Sequence, residues 1–178
     1  MSAITAGLHS AFVNALDGRL LQHSSLNDKP LLLDLKLPSP PRLRLYMYSL
    51  VAGGAYRKDE YKSVLRVPNQ PVGEYGSFDH SDDRFILLVG FEASLDVFVL
   101  WDASLHYQFK NGGNIQVRQT TVLRAAASGF AQQRRTLGGR RKEVVYACQS
   151  TTLLDVLDKR LGSTGLVEDS GTWQVLQT

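Results

Sequence analysis

The sequence predicts an α+β fold, with a mixed or mostly antiparallel central sheet and flanking helices. Apolar residues recur at helical spacing near both ends of the chain, and alternating strand patterns fill the middle. Two nearly continuous apolar runs, 84–91 and 96–103, are typical of strands that are buried on both faces. A partly closed barrel is the alternative arrangement of such a sheet.

Length and composition limit the number of domains and the class of protein that the chain can form. With 178 residues, 43% of them hydrophobic and 21% charged, one domain over 1–162 is the simplest expectation, followed by a tail, edge strand or linker over 163–178. The single cysteine, Cys148, excludes a disulfide framework within the chain, and the four histidines lack metal-ligand spacing. No run of eighteen apolar residues and no signal-peptide pattern occurs, so we expect a cytoplasmic protein that does not enter a membrane.

The individual elements follow from the periodicity of the apolar residues. Helical spacing predicts helices over 3–16, 120–135 and 150–162, the second of them weakened by Gly129. Strands are predicted at 31–37, 42–50, 60–67, 84–91, 96–103, 114–119 and 143–148, with 172–177 as a further edge strand. A turn with two glycines separates 42–50 from 60–67, so these two strands are expected to form a hairpin.

Charge is distributed unevenly along the chain, although the net charge is only +3. Between Lys110 and Lys142 no Asp or Glu occurs, and the basic residues are Lys110, Arg118, Arg124, Arg134, Arg135, Arg140, Arg141 and Lys142. A segment of one sign favours a polyanionic partner, while a solvated helix followed by a basic loop explains the pattern without a partner. The tract "RRTLGGRRK" (134–142) favours the first interpretation, because four arginines around two glycines predict a mobile cationic loop.

The segment that begins at the end of strand 96–103 carries residue types that recognise DNA. Arginine and lysine bind phosphates, amides hydrogen-bond base edges, and flat rings stack on bases. The predicted contacts to the DNA backbone are Arg118, Arg134, Arg135, Arg140, Arg141 and Lys142. The predicted base pocket is formed by Trp101, Tyr107, Asn114 and Gln116. Structural roles stay open for some of them, since Trp101 can end a core strand and Asn114 can serve as a turn residue.

This interpretation depends on one spatial relation. The cationic turn that ends near Lys142 has to lie beside the polar segment that follows strand 96–103. If it does, double-stranded DNA, with or without modified bases, has one continuous surface to bind.

Four stretches of the middle and C-terminal parts resemble a known bacterial domain. They are "YMYSL…GGAYRKDEYKSVL", "FILLVGFEASLDVFVLWDA", "NIQVRQTTVLRAA" and "RRKEVVYACQSTTLLDVLDKRL", within residues 44–161. The pattern is similar to a methylase-associated domain that accompanies DNA methyltransferases and restriction nucleases. The resemblance implies a DNA reader in a restriction or defence system, beside an HNH-type nuclease domain or subunit. It is most specific at 59–62, 97–103 and 114–117, and the turn "VAGGAYRK" departs from the polar, Pro-containing turn of the family.

Two other functions are compatible with the sequence. Glu60 and Lys62 have the E-x-K spacing of metal-dependent nucleases, in which the carboxylate holds Mg²⁺ and the lysine orients the attacking water, with Asp34 as the upstream ligand. Such triplets are common by chance, and in a hairpin strand both side chains often face solvent. An interaction module whose basic face binds an acidic protein is the other alternative. The preferred interpretation makes the chain a binding module that needs neither metal nor cofactor.

Overall fold

The computed structural model confirms the α+β class. It describes residues 3–36 and 42–163, together with the backbone of 166–169 and 172–175. The helices are α1 (Ala3–Leu16), α2 (Gln119–Ser128) and α3 (Leu153–Ser163). The strands are β1 (Leu20–His23), β2 (Leu31–Leu35), β3 (Arg42–Ser49), β4 (Val51–Ala52), β5 (Glu60–Val64), β6 (Tyr75–Gly76), β7 (Phe85–Glu92), β8 (Val97–Trp101), β9 (Phe109–Lys110), β10 (Asn114–Arg118), β11 (Phe130–Thr136), β12 (Lys142–Cys148), β13 (Leu166–Asp169) and β14 (Thr172–Val175).

A seven-stranded sheet forms the centre of the fold, in the order β1-β2-β3-β7-β8-β12-β11. Strands β3 and β7 run parallel and the other neighbours run antiparallel, so the sheet is mixed, as predicted. It is open, with β1 and β11 at its edges, so the barrel alternative does not describe it. A smaller sheet has the order β10-β5-β4, and β6-β9 and β13-β14 form two-stranded pairs.

Both faces of the central sheet are buried, as the continuous apolar runs predict. In β8, Phe98 and Leu100 belong to the core that α1 and α3 cover, whereas Val97, Val99 and Trp101 belong to the core beneath the small sheet and α2. The same alternation occurs in β3, β7 and β12, because successive strand residues point to opposite faces. The fold therefore has two cores, and the small sheet lies on the second one.

Gly90 in β7 allows the small sheet and Trp101 to approach the central sheet closely. A Cβ at this position would lie 2.8 Å from Ser63 Oγ and 2.9 Å from Trp101 Cη2. The Ser63 hydroxyl donates in turn to the backbone oxygen of Ser49 over 2.9 Å, which joins β5 to the end of β3. This contact sets the position of the small sheet, and with it the position of β10.

The predicted helix over 120–135 is wrong beyond Ser128. Gly129 adopts a left-handed backbone conformation, with φ of 88°, and its N–H donates to the oxygen of Ala125, which ends α2. Residues 130–136 then form β11, antiparallel to β12. The predicted mobile loop over 134–142 is accordingly the end of a β-hairpin, closed by a bond from the N–H of Leu137 to the oxygen of Arg141.

The predicted hairpin between 42–50 and 60–67 is also wrong. Both edges of β3 are occupied, by β2 and β7, so β5 pairs with β4 and β10 instead. The strand predicted at 31–37 ends at Leu35, and residue 37 lies outside the described residues. The strand predicted at 172–177 corresponds to β14, which pairs with β13 rather than with the central sheet, and 176–177 lie outside the described residues. In the described part of the chain, no helix has the length and apolar character to cross a membrane.

Candidate nucleic-acid interface

A cleft of about 320 Å³ opens between the free edge of β10, the segment 106–110 and the hairpin of β11 and β12. It is lined by Leu65, His106, Gln108, Phe109, Lys110, Gly113, Asn114, Ile115, Gln116, Arg135 and Leu137. None of these described lining residues is acidic. Three residues predicted to contact DNA, Asn114, Gln116 and Arg135, therefore lie together in one concave site.

Alternation along β10 decides which of its residues reach a ligand. Ile115 and Val117 are buried in the core, whereas Asn114, Gln116 and Arg118 lie on the outer face of the small sheet. Among the described residues, no hydrogen-bond partner holds the side-chain amide of Asn114 or of Gln116. Both amides are therefore available to donate to, and accept from, a bound molecule.

A buried carboxylate, that of Glu143, fixes two other residues of the cleft. Glu143 lies opposite Arg135 in the β11–β12 pair, and its side chain is fully buried. Arg135 Nε donates to Glu143 Oε2 over 2.6 Å, and His106 Nε2 lies 2.8 Å from Oε1. The backbone N–H of Asp102 also donates to Oε1, over 3.1 Å. One carboxylate thus holds a guanidinium and an imidazole side by side at the wall of the cleft.

Glu143 stays ionised in spite of its burial. Burial alone raises the pKa of this carboxyl, but the hydrogen bonds and charges of His106 and Arg135 outweigh that effect and bring the pKa below its ordinary value. An ionised group in such a position depends on its partners. Arg135 is therefore a structural element of the cleft as well as one of its cations.

The indole of Trp101 lies in the core and not at the rim of the cleft. Trp101 is 1% exposed, and its Nε1 donates to the backbone oxygen of Gln116 over 3.0 Å. Arg135 Nη1 donates to the same oxygen over 2.7 Å. These two bonds fix the free edge of β10 to the central sheet, and they leave the indole no surface on which a base can stack. Phe109 is the aromatic residue among those that line the cleft.

The tip of the hairpin, residues 137–141, lies beside the cleft. Arg141 Nη1 donates to the backbone oxygen of Leu105 over 2.6 Å, and the guanidinium lies 5.4 Å from the centroid of the Tyr107 ring. Tyr107 is 54% exposed, and Arg140 is exposed at the turn. The spatial relation that the sequence interpretation requires, a cationic turn beside the polar segment after β8, is therefore present in the structure.

The basic tract divides between the two faces of the hairpin. Arg135 follows Ala131 on the face of the cleft, whereas Arg134 lies on the opposite face, because side chains alternate along β11. Lys142 shares that opposite face, where its Nζ donates to Thr136 Oγ1 over 2.9 Å. Of the predicted phosphate contacts, Arg135 lies at the cleft and Arg118 on the outer face of β10. Arg140 and Arg141 lie at the tip.

The three residues of the nuclease alternative are not brought together. Asp34 lies beside the first residue of β3, where Arg84 Nη1 donates to its carboxylate over 2.9 Å. Glu60 and Lys62 lie in β5, beyond the last residue of β3, and Glu60 accepts from Arg57 over 3.2 Å. The eight residues of β3 place about 23 Å between these ends. Within 3–36 and 42–163, no three His, Cys, Asp or Glu side chains are grouped to hold a metal ion.

The segment that contains this cleft matches a known protein family. A family model described as Methylase-associated X1 matches residues 41–157, about two thirds of the chain. The chain belongs to the Methylase-associated X1 family. The resemblance seen in the sequence is thereby confirmed, and the Methylase-associated X1 segment contains β10, the cleft and the whole β11–β12 hairpin. Its description associates the family with methylases, the setting of modification and restriction. No curated protein and no solved structure matches the chain.

The sequence pattern does not point to His106 or Glu143, which shape the cleft. The signal for Glu143 is a carboxylate directly before the apolar, buried residues 144–148 of β12, since an ionised group there requires partners. Once 130–136 is recognised as a strand, the hairpin register places Arg135 opposite it. Nothing in the sequence indicates His106 as the second partner, because that contact depends on the turn that follows β8.

Proposed function

We propose that this chain is a DNA-binding specificity module of a modification or restriction system, and that it senses modified bases. The cleft is the observation that carries the proposal. In it the amides of Asn114 and Gln116, which no described residue hydrogen-bonds, lie beside the guanidinium of Arg135, next to a cationic tip. Amide and guanidinium groups hydrogen-bond base edges, and exposed arginines bind phosphates.

The charges around the cleft support a polyanion as the partner. Lys110 and Arg135 line the cleft, while Arg118 and Arg140 are exposed on the outer face of β10 and at the hairpin tip. Glu143 carries the opposite sign, but it is buried, its charge is compensated by Arg135, and His106 is a second hydrogen-bond partner. A phosphate backbone that follows the tip therefore meets cations, while the cleft beside it receives a base.

The size of the cleft and the family support DNA over a larger or unrelated ligand. A volume of about 320 Å³ lies at the lower end of the roughly 300–1,000 Å³ that is common for small-molecule sites, which suits one base. Membership in a methylase-associated family supports DNA as the molecule to which the base belongs. Cleavage, in this proposal, is the task of a separate nuclease domain or subunit.

The hairpin tip provides the test of DNA binding. Replacing Arg140 and Arg141 with alanine is expected to weaken DNA binding and to flatten its salt dependence, by roughly 0.9 logarithmic units per tenfold salt for each phosphate that the variant no longer neutralises. The measurement is fluorescence anisotropy with plain, methylated and otherwise modified duplexes over a salt series. The matched control, K36A/K159A, also removes two positive charges, but from exposed positions after β2 and in α3. It is expected to bind like the wild type.

Two outcomes would contradict the proposal. One is an absence of binding to every duplex. The other is equal binding by the wild type and R140A/R141A, with the same salt slope. Competition by heparin without any preference among duplexes would favour an acidic protein as the partner of the basic face.

A further inference from the structure

A buried carboxylate holds two side chains of the cleft wall in place. His106 Nε2 hydrogen-bonds Glu143, and Arg135 donates from Nε to Glu143 and from Nη1 to the oxygen of Gln116. Asn114 and Gln116 line the same cleft, and no described group hydrogen-bonds their side-chain amides. A ligand in the cleft therefore meets a fixed guanidinium and two amides.

The guanidinium and the amides differ in chemistry. An amide side chain offers an acceptor oxygen next to a donor nitrogen, so Asn114 and Gln116 can both accept and donate. Arg135 Nη2 can only donate. A phosphate offers acceptors alone and would leave the two amide oxygens unsatisfied, whereas the edge of a nucleobase offers a donor next to an acceptor. The cleft wall is therefore complementary to a base, while the cations of the tip suit the backbone.

The shape of the site decides how a base can reach these groups. Base edges inside a duplex are read by elements that protrude into a groove, such as a helix or a two-stranded ribbon. Here the acceptor and the donor lie in a concave site between β10 and the hairpin. A stacked and paired base cannot enter such a site, so it has to leave the helix first.

Resting on the proposed function, we propose that the cleft binds a single base extruded from the duplex, and that Arg135, Asn114 and Gln116 determine its specificity by contacting its Watson–Crick edge. The guanidinium donates, and the two amides both donate and accept. Glu143 is the positioning residue, since it holds Arg135 and is itself buried.

The experiment compares three duplexes of one sequence: fully paired, with one central mismatch, and with an abasic site at that position. A mismatched base costs less free energy to extrude than a paired one. The mismatched duplex is therefore expected to bind the protein on the order of tenfold more tightly than the paired duplex. The abasic duplex, which bends easily but has no base, is expected to lose that gain. With 2-aminopurine at the central position, binding is expected to raise the fluorescence, because the base leaves the stack.

Variants test whether the gain in affinity comes from the cleft. N114A/Q116A removes both side-chain amides, which no described group hydrogen-bonds, so it is expected to fold and to abolish the mismatch preference. R140A/R141A is expected to weaken binding to all three duplexes equally.

The failure of this inference is distinguishable from failure of the proposed function. Salt-dependent DNA binding without a mismatch preference, or with equal affinity for mismatched and abasic duplexes, would overturn the extruded base and leave DNA binding in place. That result would favour a hairpin tip that enters a groove as a β-ribbon. No binding to any duplex would overturn both.

Discussion

Replacing Glu143 with leucine lowers the free energy of unfolding by about 3–5 kcal/mol, because it leaves the guanidinium of Arg135 and the imidazole of His106 without the buried carboxylate that they both contact. Glu143→Gln keeps the shape and one acceptor and is expected to lose less. Urea denaturation measures both effects, and Glu74→Gln, at an exposed loop position, is the matched control with no expected effect. A leucine variant as stable as the wild type would contradict the structural role of Glu143.

The pH dependence gives the same prediction a second readout. The pKa of Glu143 is lowered in the folded state from an ordinary value of 4.5, so below about pH 4.5 the unfolded chain takes up a proton that the folded chain does not. The stabilising contribution of the carboxylate is therefore present above this pH and is lost as the pH falls through the folded value. Since glutamine takes up no proton, the stability difference between wild type and E143Q is expected to shrink toward acid. A difference that grows toward acid would contradict the assigned direction of the shift.

Replacing Trp101 with alanine is expected to lower the free energy of unfolding by about 3–5 kcal/mol, because the indole fills the core against Gly90. Trp101→Phe keeps most of that packing and removes the bond to the oxygen of Gln116. That oxygen still accepts from Arg135 Nη1, so a smaller decrease is expected.

DNA binding by the phenylalanine variant separates the core role of Trp101 from a stacking role. Because the indole is sealed inside the protein, W101F is expected to bind duplexes like the wild type at a temperature where both are folded. Anisotropy titrations, with circular dichroism as the control for folding, make the comparison. Loss of binding by a fully folded W101F would show that the ring contacts DNA and would contradict its position in this structure.

The sequence predicted the parts of this fold that local pattern determines. The doubly buried strands β7 and β8 follow from their continuous apolar runs, and α1 and α3 follow from helical spacing. The pairing of β5 did not follow, because the sequence does not show that both edges of β3 are already occupied. The switch at Gly129 was missed because the segments before and after it carry enough alanine and glutamine to suit one long helix.

The candidate site was predictable to the same degree. Asn114 and Gln116 were identified from residue type, and β10 presents both of them as the alternation of a strand requires. The division of the arginines was not predictable, because a helix over 120–135 gives Arg134 and Arg135 no strand faces to occupy. The strand β11 instead sends the first to the far face and the second into the cleft. The position of Trp101 in the core was one of the two alternatives that its strand left open.

Hydrogen–deuterium exchange with and without duplex DNA measures whether the cleft and the hairpin tip form one DNA-binding surface. In the complex, we expect slower exchange of two segments together: 104–116, along the cleft, and 134–142, at the tip. Helices α1 and α3, on the other side of the central sheet, are expected to exchange at unchanged rates. Protection confined to α1 and α3, or protection of the tip without the cleft segment, would show that the two elements do not form one such surface.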